Sequence, residues 1–150
     1  SFPTRRSSDL DPVLEASLDD AISYAETSID RGASKSRSRF ISTGVGQDAV
    51  YVVKGQQAQA YADAGFTGAV PAYIAAEAAA TGVTAQVAAE TILTLRDAWN
   101  NLIGPAIEAQ RIGGKKLVRE SATVEAVDSA MRAALVALCA AACWSSSART

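Results

Sequence analysis

The chain has 150 residues, 32 of them Ala and only four Pro, with a net charge of −2 and no His. That balance disfavours a dedicated nucleic-acid binder, which needs clustered Lys and Arg to neutralise phosphates; no apolar run reaches the roughly 20 residues of a membrane span. The lack of His removes the commonest general base near neutral pH, and two cysteines, Cys139 and Cys143, do not close a tetrahedral zinc site alone.

The chain opens at Ser1, and its single methionine is Met131, so the sequence reads as the later part of a longer reading frame. Residues 1–10 back-translate to a common short-read sequencing adapter and are taken as non-native and disordered. Residues 11–144 are expected to form one helical domain, because Ala loses no side-chain entropy in a helix. The expected fold is all-α, a small bundle of four to five helices with a core of Ala, Leu, Ile and Val. Pro12 after Asp11 suits a helix start, and Leu14, Leu18, Ile22, Ala25 and Ile29 then share one face. Residues 31–39 follow as a charged, solvated connection, and the chain turns at Gly44-Val45-Gly46.

A second helix is predicted over 47–64, with Tyr51, Ala58 and Tyr61 on one side and Gly55 weakening it by about 1 kcal/mol. Residues 50–53 could alternatively be a strand, though no second strand signal is present to pair with it. Pro71 starts a short helix that Gly82 can end from the left-handed region. Thr84 is a plausible N-cap for the longest helix, about 84–111. Along it Ile92, Leu95, Trp99 and Leu102 form a heptad-like seam, suited to packing inside a bundle or to contact between chains. Pro105 is expected to kink this helix near Leu102, and Gly113-Gly114 to end it. A last helix begins near Thr123 and carries Val127, Met131, Leu135 and Leu138; Cys139 and Cys143 read as small residues filling it. The tail 145–150 is expected to be disordered.

Local patterns for chemistry are few. Gly113-Gly114-Lys115-Lys116 lacks the first glycine and the Ser or Thr of a phosphate loop, and has no preceding strand. The carboxylates are scattered over helix faces, and no cofactor or metal is expected. Lys35, Arg37 and Arg39, alternating with Ser34, Ser36 and Ser38, are the best local candidates for an anion contact.

Three stretches carry a family resemblance. They are Arg37-Ser38-Arg39-Phe40-Ile41-Ser42 with Gly46-Gln47, Tyr51, Lys54 and Ala58-x-Ala60-Tyr61; then Ile74-Ala75-Ala76-Glu77-Ala78 with Thr81-Gly82-Val83-Thr84; and Trp99 with Ile107-Glu108-Ala109-Gln110-Arg111 and Ser121-Ala122-Thr123-Val124-Glu125-Ala126-Val127. Over residues 18–127 the chain resembles helical segments of tail-fibre-associated and tail-assembly accessory proteins of tailed bacteriophages and prophages. It departs from them at Gly113-Gly114, where that family has continuous helix, and after residue 133. The resemblance implies a non-enzymatic structural or assembly role, in the virion or in the host bacterial cytoplasm during assembly. The implied partner is a phage tail or tail-fibre protein, or a second copy of the chain. A regulatory or nucleic-acid-associated helical protein using residues 31–39 is the alternative; an enzyme working through Lys or carboxylates in a pocket is a third.

Overall fold

The computed structural model describes residues 17–41 and 46–143. The expected helix start at Asp11-Pro12, the turn residues Gly44 and Val45, the Cys143 side chain, the adapter-like segment 1–10 and the tail 145–150 lie outside the described residues. Every regular element among the described residues is helical, so residues 50–53 are helix and not strand.

Helix α1 is Leu18–Arg37. Ser17 caps it, its hydroxyl oxygen accepting a hydrogen bond from the Asp20 amide at 3.1 Å. Asp19 and Asp20 sit in the first turn and Lys35 and Arg37 in the last, each set opposing the helix dipole's charge at its end. The helix buries Ala25, Ile29, Ala33 and Ser36, spaced by four, four and three. Residues 31–37 are therefore its last two turns and not a connection: Ala33 and Ser36 give the charged stretch a buried edge that the charges concealed.

Helix α2 is Gln47–Asp63 and buries Gly55, Ala58 and Tyr61, while Tyr51 is 40% exposed and departs from the expected common face. Phe66 follows at φ 58°, held there by an edge-on contact with Tyr61 at 5.6 Å between ring centres. Helix α3 is Ala72–Thr81, opened by Pro71 and closed by Gly82 at φ 72°, as the sequence indicated. Helix α4, Ala85–Ala98, is capped by Thr84, whose Oγ1 accepts from the Val87 amide at 3.2 Å.

Two expectations for the long helix are corrected. Pro105 does not simply kink it; a π-helical turn, Trp99–Ile103, intervenes before helix α5, Gly104–Arg119. Pro105 has no N–H to offer the Asn101 carbonyl, and its ring would crowd that carbonyl in an α turn. The wider turn relieves both problems, with the Gly104 amide donating to the Trp99 carbonyl five residues back. A Cβ on Gly104 would stand 2.9 Å from that carbonyl oxygen, so the tight approach suits glycine. Nor does Gly113-Gly114 end the helix. Gly114 is buried where α5 crosses helix α6, Val124–Cys143, and a Cβ there would meet the Ala134 Cβ at 2.5 Å. Gly114 thus permits close contact in mid-helix. Thr123 begins α6 by accepting from the Ala126 amide at 3.2 Å.

The helices gather around two cores. One unit, α1 with α5 and α6, buries Ala25, Ile29, Ala33, Ile107, Val118, Val127, Ala134 and Leu138. Within it the buried Ser36 hydroxyl donates to the Leu138 carbonyl at 3.0 Å. The other, α2 with α3 and α4, buries Ala58, Tyr61, Ile74, Ala88, Ala89 and Ile92. The continuous helical rod 85–119 belongs to both, with the π turn at the junction packing on α4 and on α5. No helix of the described residues is long and apolar enough to cross a membrane.

Charged side chains brace the first unit. Arg111 donates to Asp30 at 2.8 Å and to Glu108 at 2.8 Å, Lys115 donates to Asp30 at 2.8 Å, and Arg37 donates to Glu108 at 2.5 Å. The carboxylates that seemed scattered in sequence thus converge between α1 and α5. Hydrogen bonds from Lys115 and then Arg111 hold the Asp30 carboxyl below its ordinary value of 3.8, and Arg111 does the same for Glu108 against 4.5. Because folding lowers both values, the unfolded chain takes up protons first. The stabilisation is complete above about pH 5 and is lost as pH falls through the two depressed folded-state values. Both carboxylates are more than a third exposed, so the expected loss is under about 1 kcal/mol. Urea unfolding from pH 7 to pH 3 should show this decline, flattened in Arg111→Met.

Candidate functional site: a cleft at the elbow

The π turn leaves a cleft of about 1010 Å³ between the two units. Its long wall is the rod, from Ile92 through Leu95, Trp99 and Leu102 to Ala106; α2 contributes Tyr51, Val52 and Lys54, α3 contributes Glu77, and Phe40 and Ile41 close it from the end of α1. The volume lies at the upper end of the range for ligand clefts, and the walls are mainly apolar.

Three of the charged groups in these walls, Lys54, Glu77 and Arg96, are engaged in contacts that join helices. Lys54 donates to Glu77 at 2.6 Å, joining α2 to α3. The Arg96 guanidinium reaches the Gln59 side-chain oxygen at 2.9 Å, the Gly55 carbonyl at 3.4 Å and the Asp97 carboxylate at 2.9 Å, joining α4 to α2. Gly55, expected only to weaken α2, admits this side chain: a Cβ there would lie 3.0 Å from Arg96 Cδ.

All four seam residues line the cleft, but in different states. Ile92 is buried in the core of the α2, α3 and α4 unit. Trp99 is half-buried, its ring 6.3 Å from that of Phe40 and tilted by 48°. Leu95 is 66% exposed and Leu102 47%. Ile92 and Leu95 both lie in α4, ahead of the π turn, and differ because Ile92 faces the α2 and α3 core while Leu95 does not; the π turn, with more residues per turn, alters the spacing only from Trp99 onward.

The anion-contact candidates fare differently. Arg37 is joined to Glu108, Lys35 is exposed in the last turn of α1, and Arg39 is exposed at the cleft wall. Gly113-Gly114-Lys115-Lys116 is helical, with Lys115 on Asp30 and Lys116 on Glu120. Cys139 is exposed and does not fill a core position. Among the described residues no three His, Cys, Asp or Glu side chains are grouped as a metal site.

Sequence reasoning missed the Asp30, Glu108, Arg111 and Lys115 cluster. Glu108, Arg111 and Lys115 stand three and four apart, a one-face signal visible in sequence; Asp30 has no local signal because it arrives from another helix. Comparison with protein families, curated proteins and solved structures gives no match.

Proposed function

We propose that the chain is a non-enzymatic tail-fibre or tail-assembly accessory module of a tailed phage or prophage. It works by seating one helix of a tail or tail-fibre protein in the elbow cleft, in the virion or in the host cytoplasm during assembly. The observation that carries this reading is the exposure of Leu95 and Leu102 on either side of Trp99, along a mainly apolar wall. From Ile92 to Ala106 that wall runs about 20 Å, the length of nearly four helical turns. A groove of this length with spaced apolar anchors is how amphipathic helices are recognised. The phage setting is supported by the resemblance over residues 18–127 that the three stretches carry.

A photo-crosslinking amino acid at Leu95 or Leu102, in an induced lysogen expressing the chain, tests the reading. Adducts with tail or tail-fibre proteins are expected; adducts confined to unrelated proteins, or to none, overturn it. The double variant Leu95→Glu/Leu102→Glu is expected to weaken capture of the identified partner at least tenfold. Both side chains are exposed, so its stability should change by no more than about 0.5 kcal/mol. Light scattering of residues 11–150 over a concentration series separates a three-chained fibre segment from a monomeric accessory protein.

A further inference from the structure

We infer that the π turn Trp99–Ile103 is a hinge that sets the width of the elbow cleft, with the Phe40 and Trp99 rings as its latch. Four observations converge on it. The two cores share no buried residue, so each unit can keep its packing while their relative angle changes. No side chain of the turn joining them is fully buried: Trp99 is half-buried and Ile103 packs at the edge of the α1 core, so bending there disturbs partial contacts and no buried core side chain. Gly104 and Pro105 disfavour ordinary α-helical bonding at this point: Pro105 cannot donate to Asn101, and Gly104 comes within a methyl's reach of the Trp99 carbonyl. Outside the rod, the Phe40 ring meets the Trp99 ring of the turn at 6.3 Å, tilted by 48°.

The cleft is bounded on both sides of this turn, by Tyr51 and Leu95 from one unit and Phe40 and Ala106 from the other. A change of angle therefore widens or narrows it, and an occupant touching both units selects one angle. That consequence rests on the docking role proposed above; the hinge itself does not.

The test uses the full chain with Cys139→Ser and Cys143→Ser, spin-labelled through new cysteines at the exposed Ala75 on α3 and Ala133 on α6. A control pair, Ala75 and Thr94, lies within one unit. Pulsed electron spin resonance is expected to give an inter-unit distance distribution at least twice as broad as the control. Phe40→Ala, which leaves the rod intact, should shift its mean by about 5 Å or more, on the order of one helical pitch. An inter-unit distribution as narrow as the control overturns the hinge, and a broad one that Phe40→Ala leaves unmoved overturns the latch. No partner is present in either measurement, so these failures are distinct from a failure of the crosslinking experiment.

Discussion

Replacing Gly114 with valine is expected to destabilise the protein by about 3 kcal/mol, while replacing the adjacent Gly113 with alanine stabilises it by up to about 1 kcal/mol. The two glycines share a helix and a sequence context, but one turns to open space and the other to the α6 crossing. A Cβ on Gly113 meets nothing within 4 Å, so alanine there simply removes the entropy that glycine loses on becoming helical. A Cβ on Gly114 meets the Ala134 Cβ at 2.5 Å and Ile29 Cδ1 at 3.4 Å, closer in the first case than packed carbons allow. The crossing of α5 and α6 must then open, loosening Val118 and Leu138 in the same core. Urea denaturation of the variants measures both signs. Gly114→Ala should be partly rescued by Ala134→Gly, which removes the opposing methyl, and Gly113→Ala should be indifferent to it. Equal effects at the two positions would mean that the crossing is not tight.

That pair also marks how far the sequence could be read. Helix starts and stops governed by local chemistry were legible: Thr84 as a cap, Thr123 as the start of the last helix, Pro71 as an opening and Gly82 as a close all act through atoms within a few residues. Glycines inside α5 were misread because their role is set by Ala134, twenty residues away, and a mid-helix glycine carries no local mark of what crosses it. The charged run 31–37 was misread for the converse reason, since its two buried positions, Ala33 and Ser36, are too few and too small to announce a face. Ile92, Leu95, Trp99 and Leu102 were legible as one seam for packing or contact; that they line a cleft, and in separate states, was not. Ile92 and Leu95 are separated by which face of α4 meets α2 and α3, and only the residues from Trp99 onward by the π turn, whose cause, Pro105 after Gly104, reads in sequence as a kink. Why a second unit packs against the rod on the far side of that turn is a matter of tertiary contact alone.

The largest structural effect is expected from Ile74→Ala, which should unfold α2, α3 and α4 while α1, α5 and α6 stay folded. Of the six largest fully buried side chains, Ile29, Ile107, Leu138, Val118 and Val127 belong to the three-helix unit built on α1, and Ile74 alone serves the other. Truncating a buried isoleucine costs about 2 to 5 kcal/mol, through lost burial and the cavity left behind. In the α1 unit Ile107→Ala removes one large group among five, and the ion cluster of Asp30, Glu108, Arg111 and Lys115 still ties α1 to α5. In the other unit the remaining core is three alanines, Tyr61 and Ile92, over a segment small enough to be marginal on its own. Hydrogen exchange followed by mass spectrometry reads the outcome segment by segment. Ile74→Ala should bring the amides of 47–98 close to unprotected rates and leave those of 18–37 and 124–143 near wild type, whereas Ile107→Ala should raise exchange by orders of magnitude in α1, α5 and α6. Uniform acceleration in both variants would mean that the two cores unfold as one, and the elbow would then be a rigid corner of a single cooperative body.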